Sequence, residues 1–161
     1  MKMLEIKKYP DKILRIKSKP VKEITGKEVT LLEQMLLAMR YFSGVGLAAP
    51  QVGVHQRIIV ADIGEGAVQL ANPEILEVKG TDQLEEGCLS VPCAHVKIER
   101  PYRVVLRGLN EKGKPVEIEA KGLLARVLLH EIDHLDGKLI VDYMSFLGKI
   151  RFGLTSNLRS R

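Results

Sequence analysis

Residues 122–135 read Gly-Leu-Leu-Ala-Arg-Val-Leu-Leu-His-Glu-Ile-Asp-His-Leu. Leu123, Val127 and Leu128 recur at helical spacing, and Gly137 stands where a left-handed residue closes a helix, so a helix is expected over Gly122–Leu135. Its first half is strongly apolar, which predicts burial, and ionisable groups on a buried helix need partners. His130 and His134 are four residues apart and share one face, so both imidazoles can reach a single ion with Glu131 beside it. The chain has four histidines, and random placement would produce H-E-x-x-H in about one such sequence in a hundred. The plain reading is a solvated charged turn carrying two incidental histidines, and the apolar run before it argues against that.

Working outward, Arg57–Ile63, Ala67–Asn72, Ile75–Lys79, His95–Glu99, Arg103–Leu109 and Val116–Ala120 are short, β-branched and separated by Gly, Asn or Pro turns. They read as mostly antiparallel strands. Val29–Phe42 repeats apolar residues at Leu32, Met35, Leu36 and Met39, with Thr30 and Glu33 in capping-box spacing and Ser43-Gly44 as the stop, so an amphipathic helix is expected there. A shorter helix is expected over Asp11–Lys17, capped by Asp11 and ended by Pro20. The fold class is therefore α+β, with N-terminal helices and mostly antiparallel sheets wrapped around a central helix. The 161 residues fit one domain. Residues 146–161 are expected to form a frayed basic extension, since Gly148 and Gly153 interrupt any long apolar period.

Composition narrows the functional classes. No apolar stretch approaches the roughly 18–20 residues that cross a bilayer. Met1–Asp11 lacks the continuous apolar core of a secretory signal, so the expected location is the cytoplasm. The net charge of +5 favours anionic partners, but no basic run is continuous and aromatic content is 4%, which points to a solvated surface rather than sequence-specific nucleic-acid binding.

A catalytic tetrahedral metal needs a third protein ligand and an open position for water. H-E-x-x-H peptidases find theirs downstream as His or Glu; downstream here stand Asp136 and Asp142 with no further His or Glu. Upstream, Glu85–Pro92 offers Cys88, either a core thiol or a thiolate that completes a Cys-His-His set for Fe²⁺, Zn²⁺ or a similar ion. Cys93 has no such support and reads as a structural or incidental thiol. Alone, Gln51 is a surface glutamine and Gly44-Val45-Gly46 a turn ending a helix. From H-E-x-x-H by itself, a metallopeptidase cutting internal peptide bonds is the alternative enzyme, and a structural metal site in a basic RNA-binding module is the non-enzymatic one.

Three segments together resemble the peptide deformylase family: Gly44-Val45-Gly46-Leu47-Ala48-Ala49-Pro50-Gln51, Glu86-Gly87-Cys88-Leu89-Ser90, and His130-Glu131-Ile132-Asp133-His134. They occur in the family's order and with family-like separations, from about Asp11 to about Asp142. The resemblance implies hydrolytic removal of the formyl group from the N-terminal formylmethionine of new bacterial or organellar polypeptides. It implies Cys88, His130 and His134 as ligands of one divalent ion, Fe²⁺ by preference, with Zn²⁺, Ni²⁺ or Co²⁺ as substitutes. Glu131 becomes the base that takes a proton from water and the acid that returns it to the departing amine. Gln51 and the Leu89 N–H become donors to the developing oxyanion. The backbone of Gly44, Val45 and Gly46 would pair with an extended peptide, and Val45, Leu84, Leu123, Arg126 and Val127 would surround the methionine side chain. At Arg126 many members carry an aliphatic residue, so its stem is expected to cover the pocket while its head reaches water. Glu86 and Arg100 are expected to pair and brace the cysteine loop, and His95 stands where some relatives place a substrate-contacting arginine. The family's longer basic C-terminal helix, implicated in docking to the ribosome, has no residue-by-residue match here.

Overall fold

The computed structural model of the chain describes residues 2–159, with side chains to residue 153. A 3₁₀ turn over Lys12–Arg15 precedes helix α1, Gly26–Tyr41. Seven strands follow: β1 Gly46–Ala48, β2 Ile58–Ala61, β3 Val68–Lys79, β4 Asp82–Cys88, β5 Val91–Arg100, β6 Arg103–Leu109 and β7 Pro115–Lys121. Helix α2 spans Gly122–Leu135, a 3₁₀ turn Ile140–Tyr143, and helix α3 Phe146–Arg159. The strands form a five-stranded antiparallel sheet, ordered β1-β2-β3-β6-β7, and a separate β4–β5 hairpin.

Strand β2 explains where the helices go. All four of its residues, Ile58-Ile59-Val60-Ala61, are buried, so both faces of the sheet must be covered at this point. Alternation sends Ile58 and Val60 to a core with Leu32, Met35 and Met39 of α1. Ile59 and Ala61 enter a second core with Ala125, Leu128, Ile132 and Leu135 of α2. A third apolar cluster joins Val91, Val96 and Ile98 of the hairpin to Leu14, Leu139, Ile140 and Val141. Gly137, at φ 73°, lets the chain turn after α2 where a Cβ would meet the Arg15 carbonyl oxygen at 2.5 Å.

Several sequence expectations need correction. Helix α1 starts at Gly26 rather than Val29, because Thr25, not Thr30, is its cap: Lys27 N donates to Thr25 Oγ1 at 3.3 Å and Thr25 N donates to Glu28 Oε2 at 3.0 Å. The two strands expected over Ala67–Asn72 and Ile75–Lys79 are one bulged strand, β3. Pro73 has no N–H to give the ladder, and Asn72, at φ 51°, turns its side-chain amide to Val21, accepting from its N and donating to its O, each at 2.8 Å. Strands β1 and β4 were not expected; β1 is too short for a periodic signal, and β4 is polar because Glu85 and Asp82 lie opposite Lys97 and Arg100. The tail is helical from Phe146 rather than frayed, with Ser145 Oγ accepting from Gly148 N at 3.1 Å and Ser145 O from Lys149 N at 2.9 Å.

The capping box generates a pH-dependent prediction. Hydrogen bonds from Thr25 hold the buried Glu28 carboxyl at about 2, below its ordinary 4.5. Its contribution to stability is complete above pH 4.5 and is lost as pH falls through 2. Glu28→Ala should cost about 1 kcal/mol at neutral pH, a deficit that shrinks in acid. Thermal melts of both proteins between neutrality and acid check it, and a deficit independent of pH would refute it.

Candidate active site

Helix α2 is amphipathic in an unusual sense: one side feeds the sheet core and another presents acid–base groups to the hairpin. His130 and His134 lie on that second side one turn apart, and Cys88 reaches them from the end of β4. The distances are 3.3 Å from Cys88 Sγ to His134 Nε2 and 3.2 Å from His134 Nε2 to His130 Nε2, with all three donor atoms within 4.8 Å of one another. Two nitrogens bound to one tetrahedral ion would stand about 3.3 Å apart, so the spacing suits a shared divalent cation.

The surroundings fix how these ligands are presented. His130 Nδ1 is 2.9 Å from Glu86 Oε1, which leaves Nε2 as the nitrogen facing Cys88 and His134. Glu86 is itself held by Arg100, whose Nε and Nη2 donate at 2.6 and 2.9 Å, and by Arg126 Nη1 at 2.7 Å. Burial works to raise the Glu86 carboxyl, but the donors from His130 and Arg100 win and hold it at about 2. Arg100 continues to Asp133 Oδ2 at 3.0 Å, which also accepts from Tyr143 Oη at 2.7 Å. Burial drives His134 well below its ordinary value, keeping a neutral imidazole with a lone pair available for a metal. His130 goes the other way: burial would lower it, yet hydrogen bonds to Cys88 and Glu86 raise it to about 10. Its Nε2 thus sits where positive charge is favoured.

A cleft of about 390 Å³ opens above this group, walled by β1 and its approach, the Cys88 turn and one side of α2. Glu131 lines it and is 4% exposed; desolvation pushes its carboxyl up to about 7, and its Oε2 has no hydrogen-bond partner among the described residues. Gln51 comes from the 3₁₀ turn Ala49–Val52 and is 1% exposed. Its Oε1 accepts from Ala48 N at 2.9 Å, so its Nε2 is the end turned to Ser90 Oγ at 3.1 Å and Cys88 Sγ at 3.6 Å. The glycine at the start of β1 has a packing reason as well: a Cβ on Gly46 would meet Glu131 Oε1 at 2.4 Å and Val127 Cγ1 at 2.7 Å.

Of the residues expected from sequence, Gly44, Val45, Gly46, Gln51, Cys88, Leu89, Leu123, Arg126, Val127, His130 and Glu131 all line this cleft, and His134 lies beneath it. Leu84 does not line it; on β4 it is 45% exposed, opposite Ile98. The head of Arg126 does not reach water either. It is 4% exposed, because Glu86 Oε2 and the carbonyls of Ile98 and Asp82 take its N–H groups at 2.7, 2.8 and 2.7 Å. His95 is exposed, 3.7 Å from Glu85, and outside the cleft. Missed from sequence were Ser90, which positions Gln51, and the Asp133–Tyr143 link; Ser90 stands inside the quoted Cys88 motif, whereas nothing in the sequence announces Tyr143.

Residues 3–149 match the family described as polypeptide deformylase. The chain belongs to that family. Peptide deformylase of Halothermothrix orenii is 52% identical over 92% of this chain and 98% of its own, and that of Thermodesulfovibrio yellowstonii 47% identical over 94% and 95%. Among solved structures, the Ehrlichia chaffeensis deformylase in complex with actinonin superposes with a TM-score of 0.95 at 36% identity, over 100% of this chain and 99% of that one. The Thermotoga maritima deformylase gives a TM-score of 0.87 at 45% identity, over 90% and 99%. This deformylase is a hydrolase of the α+β class that removes the formyl group from N-formylmethionyl peptides in a metal-dependent reaction. The metallopeptidase alternative is not supported, and the Cys88-His130-His134 group differs from the downstream His or Glu that such peptidases use. No described helix is long and apolar enough to cross a membrane.

The two glycines should respond differently to alanine. Gly46→Ala forces Cβ against both the Glu131 carboxylate and Val127 and should cost about 1–3 kcal/mol, whereas the Gly44 Cβ crowds the flexible end of Leu89, at 2.8 Å, and otherwise makes ordinary contacts. Thermal denaturation should rank Gly46→Ala below Gly44→Ala; the reverse order would disprove the packing argument.

Proposed function

We propose that Cys88, His130 and His134 hold one divalent ion, Fe²⁺ by preference with Zn²⁺, Ni²⁺ or Co²⁺ as substitutes, and that the whole chain is one catalytic domain built around it. The observation that carries this reading is the convergence of one sulfur and two imidazole nitrogens on the floor of a cleft that also holds Glu131 and Gln51. When bound, the ion supplies Lewis acidity, making water a nucleophile near neutral pH and drawing charge from a carbonyl oxygen. Glu131 takes the proton of the attacking water and later passes it to the amine nitrogen as the formyl C–N bond breaks, giving formate and a free N-terminus. Burial supports that exchange by bringing the Glu131 carboxyl close to neutrality. The Gln51 amide and the Leu89 N–H donate to the formyl oxygen as its negative charge grows. Gln51 is suited to this because Ala48 N occupies its oxygen and so fixes which end of the amide faces Cys88.

The substrate lies extended along Gly44-Val45-Gly46, at the sheet edge formed by β1, with its methionine side chain against Val45, Leu123 and Val127. Arg126 bounds that pocket from behind rather than presenting its charge. N-formyl-methionyl nascent peptides place the enzyme's work in the cytoplasm beside the ribosome. Lys149 and Arg151 on α3, with exposed Phe146 and Leu147, support association with that polyanionic particle.

Formate release from formyl-Met-Ala-Ser by the Fe²⁺ or Ni²⁺ form is expected, and no turnover above buffer would refute the reading. Glu131→Ala should keep about one metal per chain and lose several orders of magnitude in kcat, while Gln51→Ala should lose about 10²–10³-fold. Anaerobic metal analysis should find iron, with activity that decays in air; hours of unchanged activity in air would count against iron. Co-sedimentation with ribosomes should occur at low salt and vanish when residues 146–161 are removed, and retention after removal would exclude α3 as the contact.

A further inference from the structure

Arg126 stands one helical turn before His130 on α2, buried among groups that belong to the opposite hairpin. Its Nη1 donates to Glu86 Oε2 at 2.7 Å and to the Ile98 carbonyl at 2.8 Å, and its Nη2 to the Asp82 carbonyl at 2.7 Å. One side chain of the helix therefore grips both strands of the hairpin: Asp82 and Glu86 on β4, Ile98 on β5. Its Nε is buried too, without a hydrogen-bond partner among the described residues, so the charged end of the side chain is held away from solvent.

The groups it holds are those that set the ligands. Glu86 orients the His130 ring through Nδ1 at 2.9 Å, and Cys88 follows Glu86 by two residues on the same strand. We propose that Arg126 is a positioning residue of the metal site, fixing the distance between the cysteine-bearing hairpin and the histidine-bearing helix, and not a contact to substrate. A planar guanidinium is needed, because a lysine ammonium is a single point that cannot span a carboxylate and two carbonyls in fixed directions. Outer partners of this kind typically govern about 10–100-fold in metal affinity.

This inference rests on the metal site proposed above, and Co²⁺ binding separates the two. The parent, Arg126→Met, Arg126→Lys and, as a surface charge control, Arg107→Met would be stripped of metal and titrated with Co²⁺ against a chelator. Absorption bands of the bound ion report ligand geometry, and circular dichroism confirms folding. Arg126→Met should bind Co²⁺ about 10–100-fold more weakly with displaced bands, Arg126→Lys should fall between, and Arg107→Met should match the parent. At saturating Co²⁺ the Arg126 variants should lose kcat with KM for formyl-Met-Ala-Ser little changed. A folded Arg126→Met with the parent's affinity and bands but a raised KM would make Arg126 a pocket wall and overturn the proposal. If Arg126→Met does not fold, parent-like affinity and bands in Arg126→Lys overturn it. A parent that takes up no Co²⁺ removes the metal site itself, and this inference with it.

Discussion

A carboxylate cut off from water has to be surrounded by donors, and Glu86 meets that demand with Arg100, Arg126 and His130. Because the groups answering it come from β5 and α2, satisfying one buried charge also fixes three elements relative to each other. It selects which nitrogen of His130 faces inward, and it seats the strand that ends in Cys88. Losing one partner of such a cluster typically costs about 3–5 kcal/mol, since the others remain buried and unbalanced. Arg100 extends the same arrangement to Asp133 and Tyr143, so the polar seam runs the length of the second helix's catalytic side.

The apolar part of the fold has a different layout. One cluster backs α2 and carries the two histidines; a second backs α1 and β1 and carries the turn with Gln51; a third backs the hairpin and packs beside Cys88. Chemistry occurs where the three meet. No single core contains the site, and hydrophobic packing alone, being non-directional, would not set distances between groups on different cores to a few tenths of an ångström. The directional bonds of the seam supply that tolerance.

How much of this was legible in the sequence depends on distance along the chain. Helix α2 and strand β6 were readable to the residue, because period and turn chemistry are local. The sequence reading starts α1 late because Thr30 and Glu33 have capping-box spacing, as do Thr25 and Glu28; it is the second pair that forms the cap, and Gln56, distant in sequence, donates to Glu28 at 3.1 Å. β4 was invisible because its acidic residues make sense only opposite Lys97 and Arg100. Within the site, the histidine pair announced itself by helical spacing, whereas Cys88 became a ligand candidate only beside them and by family likeness. Arg126 was read as a snorkelling stem because a lone arginine on an apolar run normally reaches for solvent. That Glu86 and two backbone carbonyls would take its donors is a fact about two strands 28 to 44 residues away, which no window of sequence contains.

Among the described residues, the β4–β5 hairpin pairs with no strand of the main sheet. It is thus a separate leaf, held by oil on one side and by ions on the other. Because the ionic side is itself buried, with Glu86, Arg100 and Arg126 nearly closed to solvent, salt screens it little. What seats the sulfur is thus a set of side chains on a neighbouring helix rather than backbone pairing, so exchanging one of them can shift the sulfur while every rung of the main sheet stays in place.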